Sequence, residues 1–251
     1  MPTPEQIVST INLIEEVAHK WDMADSYYVG GYPRAMAMGL PLGDVHDLDI
    51  ASGSPAEVQE LAGFVAEASK AQDFHVLHRT GTITMTVNGV EVDFQGSASH
   101  DHVAPYVRIW GVPETKIALN LFDRDFTMNA LAIKIGTDEI LDITRRAIPD
   151  IHEKRISAIL PPDEVVDRNP LMITRAIRFA CKYDFKIERT LWKAMKRHKD
   201  NLYKRLSSER LAIEAYVLSK YPKAKDLIEE LGIDYLEAPA MVQQGQEAVE
   251  E

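Results

Sequence analysis

Two aspartates spaced by one residue, Asp47 and Asp49, stand a short way after a glycine pair, Gly30-Gly31, that leads into Pro33 and Arg34. Alternate side chains on a strand share a face, so Asp47 and Asp49 point the same way. Neighbouring carboxylates repel, and a divalent cation between them removes the repulsion. Mg²⁺ takes one or two carboxylates with water and substrate phosphates, which suits such a pair. Two ions, Mg²⁺ or Mn²⁺, would align an attacking hydroxyl with a leaving pyrophosphate. The glycines, lacking Cβ atoms, let backbone N–H groups approach a phosphate. Pro33 favours starting a helix, whose N-terminus attracts anions, and Arg34 adds a charge-assisted contact.

A third carboxylate is expected from a neighbouring strand. Glu91 and Asp93, again two apart, are the candidates, and their spacing does not separate them. A polar outer face of a hairpin would show the same alternation. Farther on, Asp125 and Asn129 are four apart. That spacing puts both on one helix face, where an acceptor and an amide would bracket a ribose hydroxyl. A helix-capping role for Asp125 is the plainer alternative.

The elements that must position these groups follow from periodicity. Residues 4 to 20 read as an amphipathic helix, with Ile7, Ile11, Ile14 and Val17 in phase. Strands are expected at 26–29, 47–51, 74–78, 83–87 and 90–94, and a helix from Ser54-Pro55 to about Ala71. Asn88-Gly89 marks a two-residue hairpin turn. From about Asp163 the periodicity is helical, with helices at 170–183, 188–199, 207–220 and 222–231. The expected organisation is α+β: a head domain over 1–155, a helical domain over 156–236 and a disordered acidic tail over 237–251.

Whole-chain properties narrow the class. The 251 residues carry a net charge of −11, 45% hydrophobic and 27% charged residues. No apolar run is long enough to span a membrane. The opening MPTPEQIVST lacks a secretory pattern, and a single cysteine, Cys181, makes no internal disulfide. A cytoplasmic protein is expected. The acidity argues against tight, non-specific nucleic-acid binding. The stretch from Arg168 to Arg210 is nonetheless rich in Lys and Arg, and reads either as a phosphate-attracting face or as a solvated helical surface.

Several blocks, in order, resemble the bacterial-type tRNA nucleotidyltransferase and poly(A) polymerase family of the polymerase-beta-like superfamily. Gly30, Gly31 and Arg34 match its Gly-Gly-x-x-Arg, and Asp47 and Asp49 its Asp-x-Asp. Gly81 to Thr84 with Val90 to Val92 resembles its hairpin, where the family places an acidic residue at the position of Glu91. Arg124-Asp125-Phe126-Thr127-Met128-Asn129-Ala130-Leu131-Ala132 is the most specific match, and Arg175 to Ala180 resembles the neck helix. The likeness covers about residues 25 to 220.

The resemblance implies a polymerase-beta-like head with a mixed sheet and flanking helices, followed by a helical neck and body. It implies two-metal, template-independent transfer from an NTP, ATP or CTP, to an RNA 3′ end such as that of tRNA. Arg124, Asp125 and Asn129 would contact the triphosphate and sugar, with Asn169, Arg175 and Arg178 as candidate nucleotide contacts in the neck.

The departures bear on substrate. Ala35 stands where an Asp is usual. The base-reading Glu-Asp-x-x-Arg corresponds to Arg168-Asn169-Pro170-Leu171-Met172, and methionine offers almost nothing to a base edge. The family's rule for choosing CTP and then ATP therefore does not carry over. Arg145-Arg146 replaces a glycine-containing loop after Asp142 and suggests a stiffer, more phosphate-binding segment. Family members continue through a longer helical body and tail that grip tRNA. Two further readings follow: transfer to a small molecule or protein, and a catalytically silent nucleotide-binding module. The intact Asp47 and Asp49 speak against the second.

Overall fold

The computed structural model describes residues 1–23, 25–52, 55–71, 73–77, 81–95 and 102–233. The expected acidic tail at 237–251, the Ser54 helix cap and the end of the third strand at His78 lie outside the described residues. The chain divides into two compact units, Met1–Pro149 and Asp150–Glu251.

The first unit is a mixed sheet with flanking helices. Its strands are β1 (Ser26–Val29), β2 (Asp47–Ser52), β3 (Phe74–Leu77), β4 (Thr82–Val87), β5 (Val90–Gln95), β6 (Ala132–Lys134) and β7 (Ile140–Leu141). Their spatial order is β3-β4-β5-β2-β1-β6-β7. Only β2 and β5 run parallel; the other neighbours in this sheet are antiparallel. The helices are α1 (Pro4–Lys20), α2 (Gly31–Ala37), α3 (Pro55–Ser69), α4 (Ala104–Ile109), α5 (Lys116–Phe122) and, ending beyond Pro149, α6 (Ala147–His152).

Local chemistry explains the main boundaries. Thr3 and Gln6 form a reciprocal capping box at the start of α1, with Thr3 N–H donating to Gln6 Oε1 at 2.8 Å. In the β4–β5 turn, Asn88 and Gly89 both take positive φ, 51° and 81°, as a type I′ turn requires. Alternation along the strands then divides the sheet. Leu48, Ile50, Ile83, Met85, Val92 and Phe94 are buried in one core with Ile7, Ile14 and Val17 of α1 and Val58, Leu61 and Val65 of α3. Burying one such side chain contributes about 1.5–3 kcal/mol. The residues between them in β2 and β5, including Asp47, Asp49, Glu91 and Asp93, therefore occupy the opposite face.

The second unit is largely helical: α7 (Pro162–Arg168), α8 (Leu171–Tyr183), α9 (Arg189–His198), α10 (Asn201–Arg205), α11 (Ser208–Ser219) and α12 (Ala224–Leu231). Periodicity does not reveal the parallel strand pair found among its described residues, β8 (Arg155–Ile156) with β9 (Lys186–Ile187). Two-residue strands carry no alternation to read. Among the described residues no helix is long and apolar enough to cross a membrane.

Candidate active site

The parallel register of β2 and β5 sets Asp47 opposite Glu91 and Asp49 opposite Asp93. Four carboxylates from two strands thus share one sheet face. They are not equivalent. Glu91 is exposed, whereas Asp93 is half-buried and accepts a hydrogen bond from Thr84 Oγ1 at 2.5 Å. Burial pushes the Asp49 carboxyl up to about 6, and the neighbouring charges of Asp47 and Asp93 add to the rise, while Arg124 and a hydrogen bond from Gln95 oppose it.

Gly30 lies against this pair. Its φ is 72°, and a Cβ built there would collide with Asp49 Oδ2. Only glycine satisfies both conditions. Gly31 is different: a Cβ on it would meet Asp47 Oδ1 at 3.5 Å, an ordinary contact. Gly31 opens α2, which is seven residues long and carries Arg34.

Arg34 reaches the Arg124–Ala132 block. Its Nη1 donates to Asn129 Oδ1, and Asn129 Nδ2 donates to Asp125 Oδ1 at 2.7 Å. Asp125 Oδ1 also accepts from the Phe126 N–H at 2.8 Å. The α-helical face expected for Asp125 and Asn129 is not what forms. Thr127–Asn129 is a single 3₁₀ turn, and Asp125 precedes it. The two side chains meet through a direct bond, and Asp125 lies ahead of the turn, whose N-cap is Phe126, rather than capping it.

Two groups in the site escape the motif reading. Gln95 Nε2 donates to Asp49 Oδ1 at 2.9 Å, while Arg124 Nη2 donates to Gln95 Oε1 at 2.7 Å. Asn120 of α5 accepts from the same Arg124 Nη2 at 3.0 Å. Strand alternation contains the signal for Gln95, since it follows Glu91 and Asp93 at the same two-residue step.

The donor set fits a divalent cation that shares its coordination with substrate. Among the described residues no three His, Cys, Asp or Glu side chains are placed to hold a metal ion on their own. Asp47 and Asp49 supply two carboxylates, the number Mg²⁺ commonly takes from protein when phosphates and water complete its shell.

A profile of the Poly A polymerase head domain matches residues 26–157, just over half of the chain. The chain belongs to the tRNA nucleotidyltransferase and poly(A) polymerase family. Within that family it is 32% identical over 188 residues to a CCA-adding enzyme of Streptococcus pyogenes serotype M2 (strain MGAS10270), covering 74% of this chain and 43% of that one. It is 30% identical over 243 residues to a CCA-adding enzyme of Streptococcus uberis (strain ATCC BAA-854 / 0140J), covering 96% and 55%. The chain thus spans about half the length of the curated relatives it matches.

Solved structures of the family share the fold. The Thermotoga maritima CCA-adding enzyme complexed with tRNA aligns with a TM-score of 0.73 at 22% identity, covering 90% of this chain and 51% of that one. The Bacillus stearothermophilus CCA-adding enzyme in complex with CTP aligns with a TM-score of 0.69 at 22% identity, covering 93% and 54%.

The positions that the sequence resemblance aligns with base reading, Asn169 and Met172, fall in the second unit. Asn169 is exposed at the C-cap of α7, and Met172 is buried, 2% exposed, on α8. Arg175 and Arg178 both lie over the Phe179 ring, 5.6 and 5.3 Å from its centroid. The basic stretch is partly neutralised within the unit: Arg197 pairs with Asp163 at 2.5 Å, Arg205 with Asp167 at 3.2 Å and Arg210 with Glu214 at 2.7 Å. In the first unit, Asp142 accepts from Thr144 Oγ1 at 2.8 Å and from the Ile148 N–H at 2.9 Å, which ties down the loop bearing Arg145 and Arg146.

Proposed function

We propose that this chain is a nucleotidyltransferase that adds nucleotides from NTPs, without a template, to the 3′ end of a tRNA-like RNA. The observation that carries the reading is the carboxylate face, with Asp47 and Asp49 on β2, Asp93 beside Asp49 on β5, and Gly30 closed against Asp49. Family membership, and relatives described as CCA-adding enzymes in complexes with CTP, ATP and tRNA, support the same substrates.

The acceptor 3′-hydroxyl oxygen forms a bond to the NTP α-phosphorus. The bond from that phosphorus to the bridging oxygen of pyrophosphate breaks, and the hydroxyl proton passes to water. Asp47 and Asp49 would hold the divalent ions, Mg²⁺ or Mn²⁺, which when bound would supply charge neutralisation for the triphosphate and activation of the hydroxyl. Asp93, rather than the exposed Glu91, is the third carboxylate and faces the attacking hydroxyl. Arg34 and Arg124 bring positive charge to the triphosphate. The Asp125–Asn129 pair fixes one amide orientation for contact with the ribose. The chain contributes mainly positioning and preorganised charge.

A second reading, transfer to a small-molecule or protein acceptor, is favoured by one observation. Arg197, Arg205 and Arg210 are spent on carboxylates of their own unit, which weakens the basic stretch as an RNA grip. Incubation with each of the four NTPs and tRNAs lacking their 3′ ends separates the two readings. Extension of RNA supports the first, and nucleotidylation of a metabolite extract with no RNA product supports the second.

A further inference from the structure

We infer that Gln95 is a positioning residue that locks the Asp49 carboxylate and the Arg124 guanidinium to each other, presetting the metal-binding carboxylate and the phosphate-binding cation as one unit. The inference rests on the proposed role of Asp49 as a metal ligand.

The geometry is specific to glutamine. Nε2 donates to Asp49 Oδ1 at 2.9 Å, and Oε1 accepts from Arg124 Nη2 at 2.7 Å. The two neighbours decide the amide's orientation. A carboxylate demands the NH₂ end and a guanidinium demands the carbonyl end. Glutamate at this position would repel Asp49, and lysine or arginine would repel Arg124. A neutral side chain with one donor and one acceptor bridges both without adding charge to a crowded site.

The backbone supports the same assignment. Gln95 follows Asp93 by two residues on β5, so it lies on the carboxylate face. Its Cα partner on β2 is Ala51, a small, buried side chain with no polar group to compete for the Gln95 amide. On the far side Asn120 Oδ1 accepts from Arg124 Nε and Nη2 at 3.3 and 3.0 Å, so the guanidinium is held from two directions. Asp49 is held similarly, with Gln95 on Oδ1 and Gly30 against Oδ2. Partners of metal-binding side chains set ligand orientation, and their loss typically weakens metal binding or activity about 10- to 100-fold.

The test is Mn²⁺ binding to the intact chain, followed by electron paramagnetic resonance without nucleotide, for wild type, Gln95→Met, Gln95→Glu and Asp49→Ala. Methionine has nearly the volume of glutamine and offers neither the donor nor the acceptor. Gln95→Met is expected to bind Mn²⁺ about tenfold more weakly or worse, with the melting temperature in chelator little changed, and to need correspondingly more Mg²⁺ for half-maximal turnover. Should Gln95→Met unfold, Gln95→Glu, which keeps the Arg124 link alone, must still shift the Mg²⁺ requirement. Wild-type Mn²⁺ affinity and an unshifted Mg²⁺ requirement in the folded variants would overturn the inference. Asp49→Ala separates the two levels. If it too binds Mn²⁺ like wild type, the metal reading of Asp49 fails, whereas loss in Asp49→Ala alone sinks only the role of Gln95.

Discussion

Asp49 and Asp93 stand directly opposite each other on the parallel strands β2 and β5. Each is tied by a neutral partner, Gln95 for Asp49 and Thr84 for Asp93. Two adjacent carboxylates at the centre of a sheet oppose folding in themselves, and the surrounding donors offset only part of that cost. The arrangement makes sense as a site whose charge is completed by a ligand.

That cost has a pH signature. Burial, aided by Asp47 and Asp93, lifts Asp49 from 3.8 to about 6 in the folded chain. Between those values the folded state keeps a proton that the unfolded state has released. The metal-free protein therefore loses stability as pH rises through that window, and carries the full penalty above it. Asp49→Asn removes the ionisation. In chelator at pH 8 the variant should be more stable than wild type by about 1–3 kcal/mol, with the difference vanishing near pH 4. Thermal melts across pH check this, and a variant less stable than wild type at pH 8 would refute it.

Glu91 and Asp93 share one face and differ in burial, Glu91 being exposed and Asp93 half-buried. Asp93→Ala should lower turnover by about a hundredfold or more, in the range of a lost proton-transfer or charge-stabilising group. Glu91→Ala, an exposed change opposite Asp47, should stay within about threefold of wild type. Steady-state kinetics on both variants decides, and the reverse ranking would return the third-carboxylate role to Glu91.

The glycine pair divides in the same way. Gly30→Ala must force Asp49 to move and strain a positive φ, so activity should fall by about a hundredfold or more. Gly31→Ala fits without collision and should keep the fold and most of the activity. Equal, mild effects at both positions would show that the closure of Gly30 on Asp49 is unimportant.

Met172 offers a test in the second unit. The family's arginine at this position cannot simply be restored, because the side chain packs in the interior of α8. Met172→Arg should destabilise the helical unit by about 3 kcal/mol or more, the cost of an unpaired buried charge. Denaturant unfolding measures it. A stable variant with sharpened choice between CTP and ATP would contradict this placement.

What was legible in the sequence was what periodicity and turn chemistry encode. The α1 stripe, the Asn88-Gly89 hairpin and the Asp47–Asp49 strand all emerge where local preference and burial agree. The short elements did not. β6 is held by pairing to the distant β1, and the two-residue β7 pairs with β6, so neither rests on its own alternation. Likewise, Asp125 and Asn129 were readable as a pair but not as a 3₁₀ turn, since a four-residue spacing alone does not distinguish the two geometries. Gln95 sat one step beyond the expected strand end, and its bond to Asp49 exists only through the β2–β5 register, a non-local fact. Within the Arg168–Arg210 stretch, packing alone identifies Asp163 and Asp167 as the partners of Arg197 and Arg205, whereas Arg210 and Glu214 stand four apart on one helix, a pair that spacing does show.

The most direct test of the central claim is a single assay of 3′-end extension and pyrophosphate release. Wild type, Asp47→Ala and Asp49→Ala are each given the four NTPs, Mg²⁺ and tRNAs lacking their 3′ ends. The account predicts extension with stoichiometric pyrophosphate by wild type, dependent on Mg²⁺ and lost in both variants. Absence of incorporation from every NTP into every RNA, or extension that survives both substitutions, would contradict it.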